Sequence, residues 1–514
     1  MKTITSLFKI APEINPGNIE EALQQAVELE LATIPTYLYT YNSIQRTWGT
    51  SPTKNQDGSS GPTPRQQLED KIKADLLPEH KHHAKELALE IQVYANKAAA
   101  LIMSVVVEEM LHLALVSNVK QAIKGPPLIY DRSPDFPTKL PGHEPDLPIN
   151  LAKFSKAQLI TFLKIESPKP YDDTGTEKML RALPYKTIGE FYAMIEQCIV
   201  DNFPGPYTNG RPQLVPGKNY YAQNTINTVY YDKNHKPQFP NADDSGDLIH
   251  VTSCDTALAA LEEIVEQGEG NQGGSHLTPS GKPIIFPPGQ WRGKKINPAD
   301  YDDAAKEELS HFDRFLELYS EGHYLDQQFR RLTGNESDDP NEAYFFTKYF
   351  VYNQPDNPLT FPSKDPRKKE QVSYQGDPLL QNVSNFTNAV FSYILLMIET
   401  CYYQADNTQY EVFMMGIHKS MIWLLGYLGV SMSSMSFTDA ASGRRYQAAA
   451  TFENYDFKQG KSSPKEQLFE LAKKLPQEGD GNYAWLFSNG YLPSLPDVGL
   501  DHTVKEAPLL ATIK

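Results

Sequence analysis

Val105-Val106-Val107-Glu108-Glu109-Met110-Leu111-His112-Leu113-Ala114-Leu115-Val116 is a continuous apolar run interrupted by two acids and one imidazole. At helical pitch Val105, Glu109, His112 and Val116 fall on one face, so the apolar stripe of a core helix carries a carboxylate and an imidazole three residues apart. Side chains at that spacing have Cβ atoms roughly 5–6 Å apart and can reach one metal ion together. A near-copy, Glu307-Glu308-Leu309-Ser310-His311, lies far downstream, where Ala304, Glu308, His311 and Phe315 share the stripe. Two such Glu-x-x-His motifs, plus a single Glu from each of two other helices, form the di-iron carboxylate pattern of a four-helix bundle.

Working outward, the first of the two remaining helices starts at Asn18, a cap with Glu21 at its third position. Ile19, Leu23, Val27, Ile34 and Leu38 then recur with helical spacing to about Tyr41. Glu30 continues the row Leu23, Val27, Ile34, whereas Glu28 is turned about 160° from it, so Glu30 is the expected inward carboxylate. Pro35 cannot donate to the carbonyl of Leu31, which predicts a kink or bulge beside Glu30. Asp255 opens another helix, Thr256 to about Gly268. Glu262, Glu263, Glu266 and Glu269 lie within its last turns; Glu269 extends the row Leu258, Leu261, Val265 if the helix persists and ranks above Glu266. The second helical run extends from about Arg65 to near Lys124 with an interruption at Pro78, and Asn297-Pro298 sets up the fourth, through about Tyr319.

Residues 42–66 are a Ser-, Thr-, Gly- and Pro-rich surface excursion, and 125–247 is a long stretch rich in Pro, Gly, Asn and Tyr. Short helical pieces are expected in it at Lys156 to Ile165 and Thr187 to Val200, and the whole is expected to fold over one end of the bundle as a lid or pocket wall. After an irregular stretch from Gly322 to Pro378, apolar helical runs follow at Asn385 to Tyr403 and Glu411 to Val430. The expected fold is therefore mainly α. Residues 1–320 form a ferritin-like four-helix metal-binding bundle including the insertion 125–247, and 321–514 form a C-terminal helical extension packed on it.

Composition narrows the function classes. Sixty-four acidic against 48 basic residues give a formal net charge of −16, the wrong sign for holding a polyphosphate chain, so no nucleic-acid partner is expected. Cys198, Cys254 and Cys401 are too far apart for a disulfide framework or zinc knuckle, which fits a reducing, cytoplasmic setting. The longest apolar stretches are broken by charge or too short, so no membrane segment is expected. Carboxylates mixed with imidazoles, without thiolate, favour iron or manganese over structural zinc.

Several segments in order carry a resemblance. They are Glu28 to Leu38 (ELELATIPTYL), Val107 to Leu113 (VEEMLHL) with Asn118, Lys186 to Tyr192 (KTIGEFY), Ile264 to Gly270 (IVEQGEG) and Ser310 to Phe315 (SHFDRF). Over about residues 15–320 the chain resembles the ferritin-like domain of iminophenylpyruvate dimer synthases, the group that includes enzymes of violacein and chromopyrrolate biosynthesis. The resemblance implies oxidative coupling of imines derived from an aromatic amino acid, with iron, and some relatives are described as carrying haem. It matches Glu30, Glu109, His112, Glu269, Glu308 and His311 to metal-binding positions. The chain departs from that family in lacking a large extra N-terminal region and in a longer 42–100 stretch.

The expected function is thus an oxygen-dependent di-iron oxidase or oxygenase. It would hold two iron ions per chain, use molecular oxygen as co-substrate, act on a small amine, amino acid or imine, and assemble as a homodimer. A ferritin-type iron-storage protein is the alternative, and a helical module without metal is a third reading. His80, His82 and His83 read as a solvated helix start, Gly268 and Gly270 as a helix end and not a phosphate loop. Tyr37 and Tyr192 are candidates for a cavity wall or for electron transfer, with ordinary packing the simpler account of each.

Overall fold

Long apolar periodicities dictate long helices, and the chain is mostly helical. The computed structural model describes residues 14–46, 60–140, 148–167, 187–208, 210–215, 248–268, 290–291, 294–295, 310–337, 342–404, 406–417, 420–460, 462–479, 481–488 and 490–503. The bundle and its insertion comprise α1 (Ile19–Asn42), α2 (Pro64–Asp75), α3 (Ala84–Ile123), α4 (Lys156–Ile165), α5 (Ile188–Asn202), α6 (Cys254–Gly268) and α7 (His311–Thr333). Beyond them lie α8 (Pro378–Cys401), α9 (Asp406–Glu411), α10 (Leu425–Ser434) and α11 (Pro464–Ala472). The run Glu411 to Val430 is helical as expected but winds in π form over Val412–Ile417 and Ser420–Leu424.

Four helices enclose the centre. α1 lies along α3, α6 and α7 pack on α3, α4 packs on α7, and α5 packs on α6 and α1. The insertion is thus part of the bundle wall. Hydroxyl caps start these helices: Ser155 accepts from Gln158 N, Thr187 from Glu190 N, and Thr63 forms a capping box with Gln66.

Two sequence expectations change here. Glu28 is buried as completely as Glu30, because the chain after α3 covers the other face of α1: Arg132 Nη1 lies 3.5 Å from Glu28 Oε1, and the Gln24 side chain one turn earlier bonds the backbone of Leu128. A helix buried on all sides shows no single inward stripe. The helix expected to run through Ser310 is interrupted there: Ser310 has extended backbone (φ −58°, ψ 161°), its hydroxyl accepts from Asp313 N, and α7 starts at His311, while residues 296–309 lie outside the described residues. α7 runs on through Gly322, where Tyr94 and Tyr344 pack so close to the backbone that a side chain there would collide. It stops at Gly334, in the left-handed region at φ 69°.

α1 continues unbroken through Pro35. The hydroxyls of Thr33 and Thr36 bond the carbonyls of Glu30 and Ala32, on either side of the Leu31 carbonyl that proline leaves without its amide. Among the described residues one stretch, Pro78–Ile123, is long and apolar enough to cross a membrane, and 94% of its most apolar window is buried within the protein. Its apolarity is that of the innermost bundle helix. Short antiparallel pairs, β1 (Thr138–Lys139) with β2 (Pro148–Ile149), β3 (Gln290–Trp291) with β4 (Lys294–Lys295) and β5 (Ser436–Thr438) with β6 (Arg445–Gln447), decorate the helices.

Candidate metal centre

α1, α3, α4 and α7 deliver Glu30, Glu109, His112, Glu166 and His311 to one enclosed point, all of them at most 4% exposed. The imidazoles of His112 and His311 are stacked with centroids 5.2 Å apart. Glu109 lies between them, its Oε1 3.0 Å from His311 Nδ1 and 3.8 Å from His112 Nδ1. Each histidine also has a carboxylate of its own: Glu30 Oε2 is 3.5 Å from His112 Nδ1, and Glu166 Oε2 is 3.6 Å from His311 Nδ1. The donors of Glu109, His112 and His311 all lie within 4.8 Å of one another.

Every other polar atom of these groups is occupied from outside the centre. Tyr192 donates to Glu30 Oε1, Tyr37 to Glu166 Oε1, and the Thr33 hydroxyl, 2.5 Å away, to Glu109 Oε2. His112 Nε2 is 2.9 Å from Gln267 Oε1, and the Gln267 amide in turn donates to Glu263 at 2.8 Å. His311 Nε2 is 3.0 Å from Glu108 Oε2, which also receives Arg314 at 2.7 Å. Acceptors at both Nε2 atoms place the ring protons there and leave the Nδ1 lone pairs facing inward. His311 Nδ1 is buried, with Glu109 Oε1 at 3.0 Å and Glu166 Oε2 at 3.6 Å in front of it.

The electrostatics are those of a site built around positive charge. Burial, with the charges of Glu166 and Glu30, pushes the Glu109 carboxyl up to about 7 despite its contact with His311. Burial alone would lower the two imidazoles, yet Glu30 and Glu109 hold His112 above its ordinary value, and Glu108, Glu109 and Glu166 hold His311 well above it. Three carboxylates crowded into a low-dielectric core are costly unless a cation is shared among them. Two donors each about 2.1 Å from one ion and at right angles are about 3 Å apart. The 3.0 to 3.8 Å spacings seen here are of that order. A cavity of about 20 Å³ between Glu30, Thr33, Glu109, His112, Glu166 and Gly268 leaves room for an ion-sized occupant. The donor set fits iron or manganese.

The structure brings together Glu30, Glu109, His112 and His311 of the residues singled out in the sequence. Glu269 and Glu308 lie outside the described residues. Glu266 is turned outward and exposed; the α6 side chain that reaches the centre is its neutral neighbour Gln267, 1% exposed. Glu166, Glu108 and Arg314 were not anticipated. Glu166 follows the last residue of α4 in a segment without helical period, and only tertiary packing places it. Arg314 was within reach of the sequence, since it lies one turn past His311 on the same side of α7.

A family model described as ferritin-like matches residues 23–320, more than half of the chain. No curated protein matches it. Among solved structures, a ferritin-like protein from Caulobacter vibrioides aligns with 18% identity over 81% of this chain and 98% of that one, with a TM-score of 0.35. A buried Glu and His cluster inside a helical bundle spanning the matched residues agrees with the family match, and the chain belongs to the ferritin-like family.

Proposed function

We propose that the chain is a non-haem di-iron oxidase or oxygenase acting on a small amine, amino acid or imine. The observation that carries this is the pairing at the centre: one histidine and one carboxylate on either side of Glu109, with both Nδ1 atoms turned inward. Such a set suits two ions sharing Glu109, His112 with Glu30 holding one and His311 with Glu166 the other. Iron bound there supplies the redox steps by which molecular oxygen is activated. The chain's own part is to fix the donors and keep bulk water out. Tyr37, Tyr192 and Thr33 each tie one carboxylate oxygen so that its twin faces the centre.

The apolar lining of Leu29, Ile188, Ile264 and Val265 beside the cavity favours an uncharged reacting group over a polyanion. The resemblance to iminophenylpyruvate dimer synthases supports an imine derived from an amino acid as substrate and oxidative coupling as the reaction. Iron analysis and oxygen uptake test the reading. Two iron per chain, lost in Glu109→Ala and His311→Ala, with oxygen consumed on a panel of amino acids and their imines, is expected. Full activity in metal-free protein overturns it, and iron uptake without substrate-dependent oxygen use favours iron storage instead.

A further inference from the structure

The two histidines are held from behind by partners of different charge. His311 Nε2 meets Glu108, a carboxylate gripped on the same oxygen by the Arg314 guanidinium at 2.7 Å. His112 Nε2 meets the neutral amide oxygen of Gln267. The amide orientation is fixed by its other end: the Gln267 nitrogen donates to Glu263 Oε1, and the reversed amide would set two oxygens against each other there. On the inner side, among the described residues, each half has one carboxylate of its own at 3.5 to 3.6 Å from Nδ1, and both share Glu109 Oε1, which is 3.0 Å from His311 and 3.8 Å from His112. The difference in charge lies behind the rings, where Glu108 faces one and Gln267 the other.

A carboxylate accepting the distal N–H makes an imidazole a stronger donor than an amide does, because the charge-assisted bond pushes electron density through the ring. We propose that the two metal positions are inequivalent, the one at His311 filling first and binding more tightly, the one at His112 filling second. This rests on the two-metal reading above. Glu108 and Gln267 are then positioning residues that set the order, without touching the ions.

Metal-stripped full-length protein titrated without oxygen with Co(II), followed by visible absorption and calorimetry, tests it. Two steps of different affinity are expected in the wild type. Glu108→Gln weakens the first by about 10- to 100-fold and spares the second. Gln267→Glu strengthens the second and draws the two together, which keeps the test decisive if Glu108→Gln does not fold. Two indistinguishable steps in the wild type, or variants that shift both steps alike, overturn the inference while leaving the two-metal reading intact. Uptake of one Co(II) or none overturns that reading, and the inference with it.

Discussion

Arg314→Met removes one half of a buried ion pair and leaves the Glu108 carboxylate facing the core. Arg314 Nη1 and Glu108 Oε2 are 2.7 Å apart with side chains 4% and 6% exposed. At an effective dielectric constant of about 20, two unit charges at that distance attract by about 6 kcal/mol. Part of this is offset by desolvation, and deleting one partner of a buried pair costs about 3–5 kcal/mol. The unfolding entropy of about 2.1 cal/mol/K per residue, over 514 residues, converts that to a fall in Tm of about 3–5 °C if the chain unfolds as a unit. The assay is differential scanning calorimetry of metal-free protein, with Glu108→Gln and the double variant alongside. Because Gln removes the stranded charge, the double variant is expected to regain most of the loss. A single variant as stable as the wild type, or a double variant that falls by the sum of the singles, refutes the claim that this pair stabilises the bundle behind His311.

Glu166→Ala is expected to lower metal affinity by at least about 10-fold at unchanged helicity by circular dichroism; unaltered affinity removes Glu166 from the centre. Gly322→Ala sets a Cβ 2.6 Å from Tyr94 Oη and 2.8 Å from the Tyr344 ring, whose hydroxyls are tied to Leu318 O and Tyr319 O. It should lower stability by about 1–3 kcal/mol, whereas Gly426→Ala, with nothing within 4 Å, should not. Glu399 is buried while accepting from the backbone of Ile129 and Tyr130, and burial pushes its carboxyl up to about 7 from an ordinary 4.5. A raised carboxyl contributes stability that is present below the unfolded value and lost as pH rises through the folded one. Glu399→Gln should therefore gain on the wild type by about 3 kcal/mol in unfolding free energy between pH 4.5 and 7; a pH-independent difference contradicts the burial argument.

Much of the fold was legible because apolar spacing and caps act locally: the bounds of α1, α3, α4, α5 and α6 follow from Ile19, Ser155, Thr187 and their neighbours. Glu109 and His112 could be assigned to the core for the same reason, as interruptions of an apolar stripe. What could not be read depends on pairing across the chain. Glu28 looks solvated at helical pitch, and only the segment after α3, with Arg132, buries it. The fourth helix looks continuous through Ser310 until that residue is seen to cap α7 at His311. Gln267 carries no charge to draw attention, and its role emerges only from the 2.9 Å contact with His112.

The central claim is that His112 and His311 present Nδ1, not Nε2, to metal on either side of Glu109. Anomalous diffraction at the iron edge from anaerobically loaded crystals tests it most directly. Two peaks flanking Glu109, one bonded to each Nδ1 and both Nε2 contacts preserved, is the predicted result. Iron bound through either Nε2, or density elsewhere with the centre filled only by water, contradicts the account.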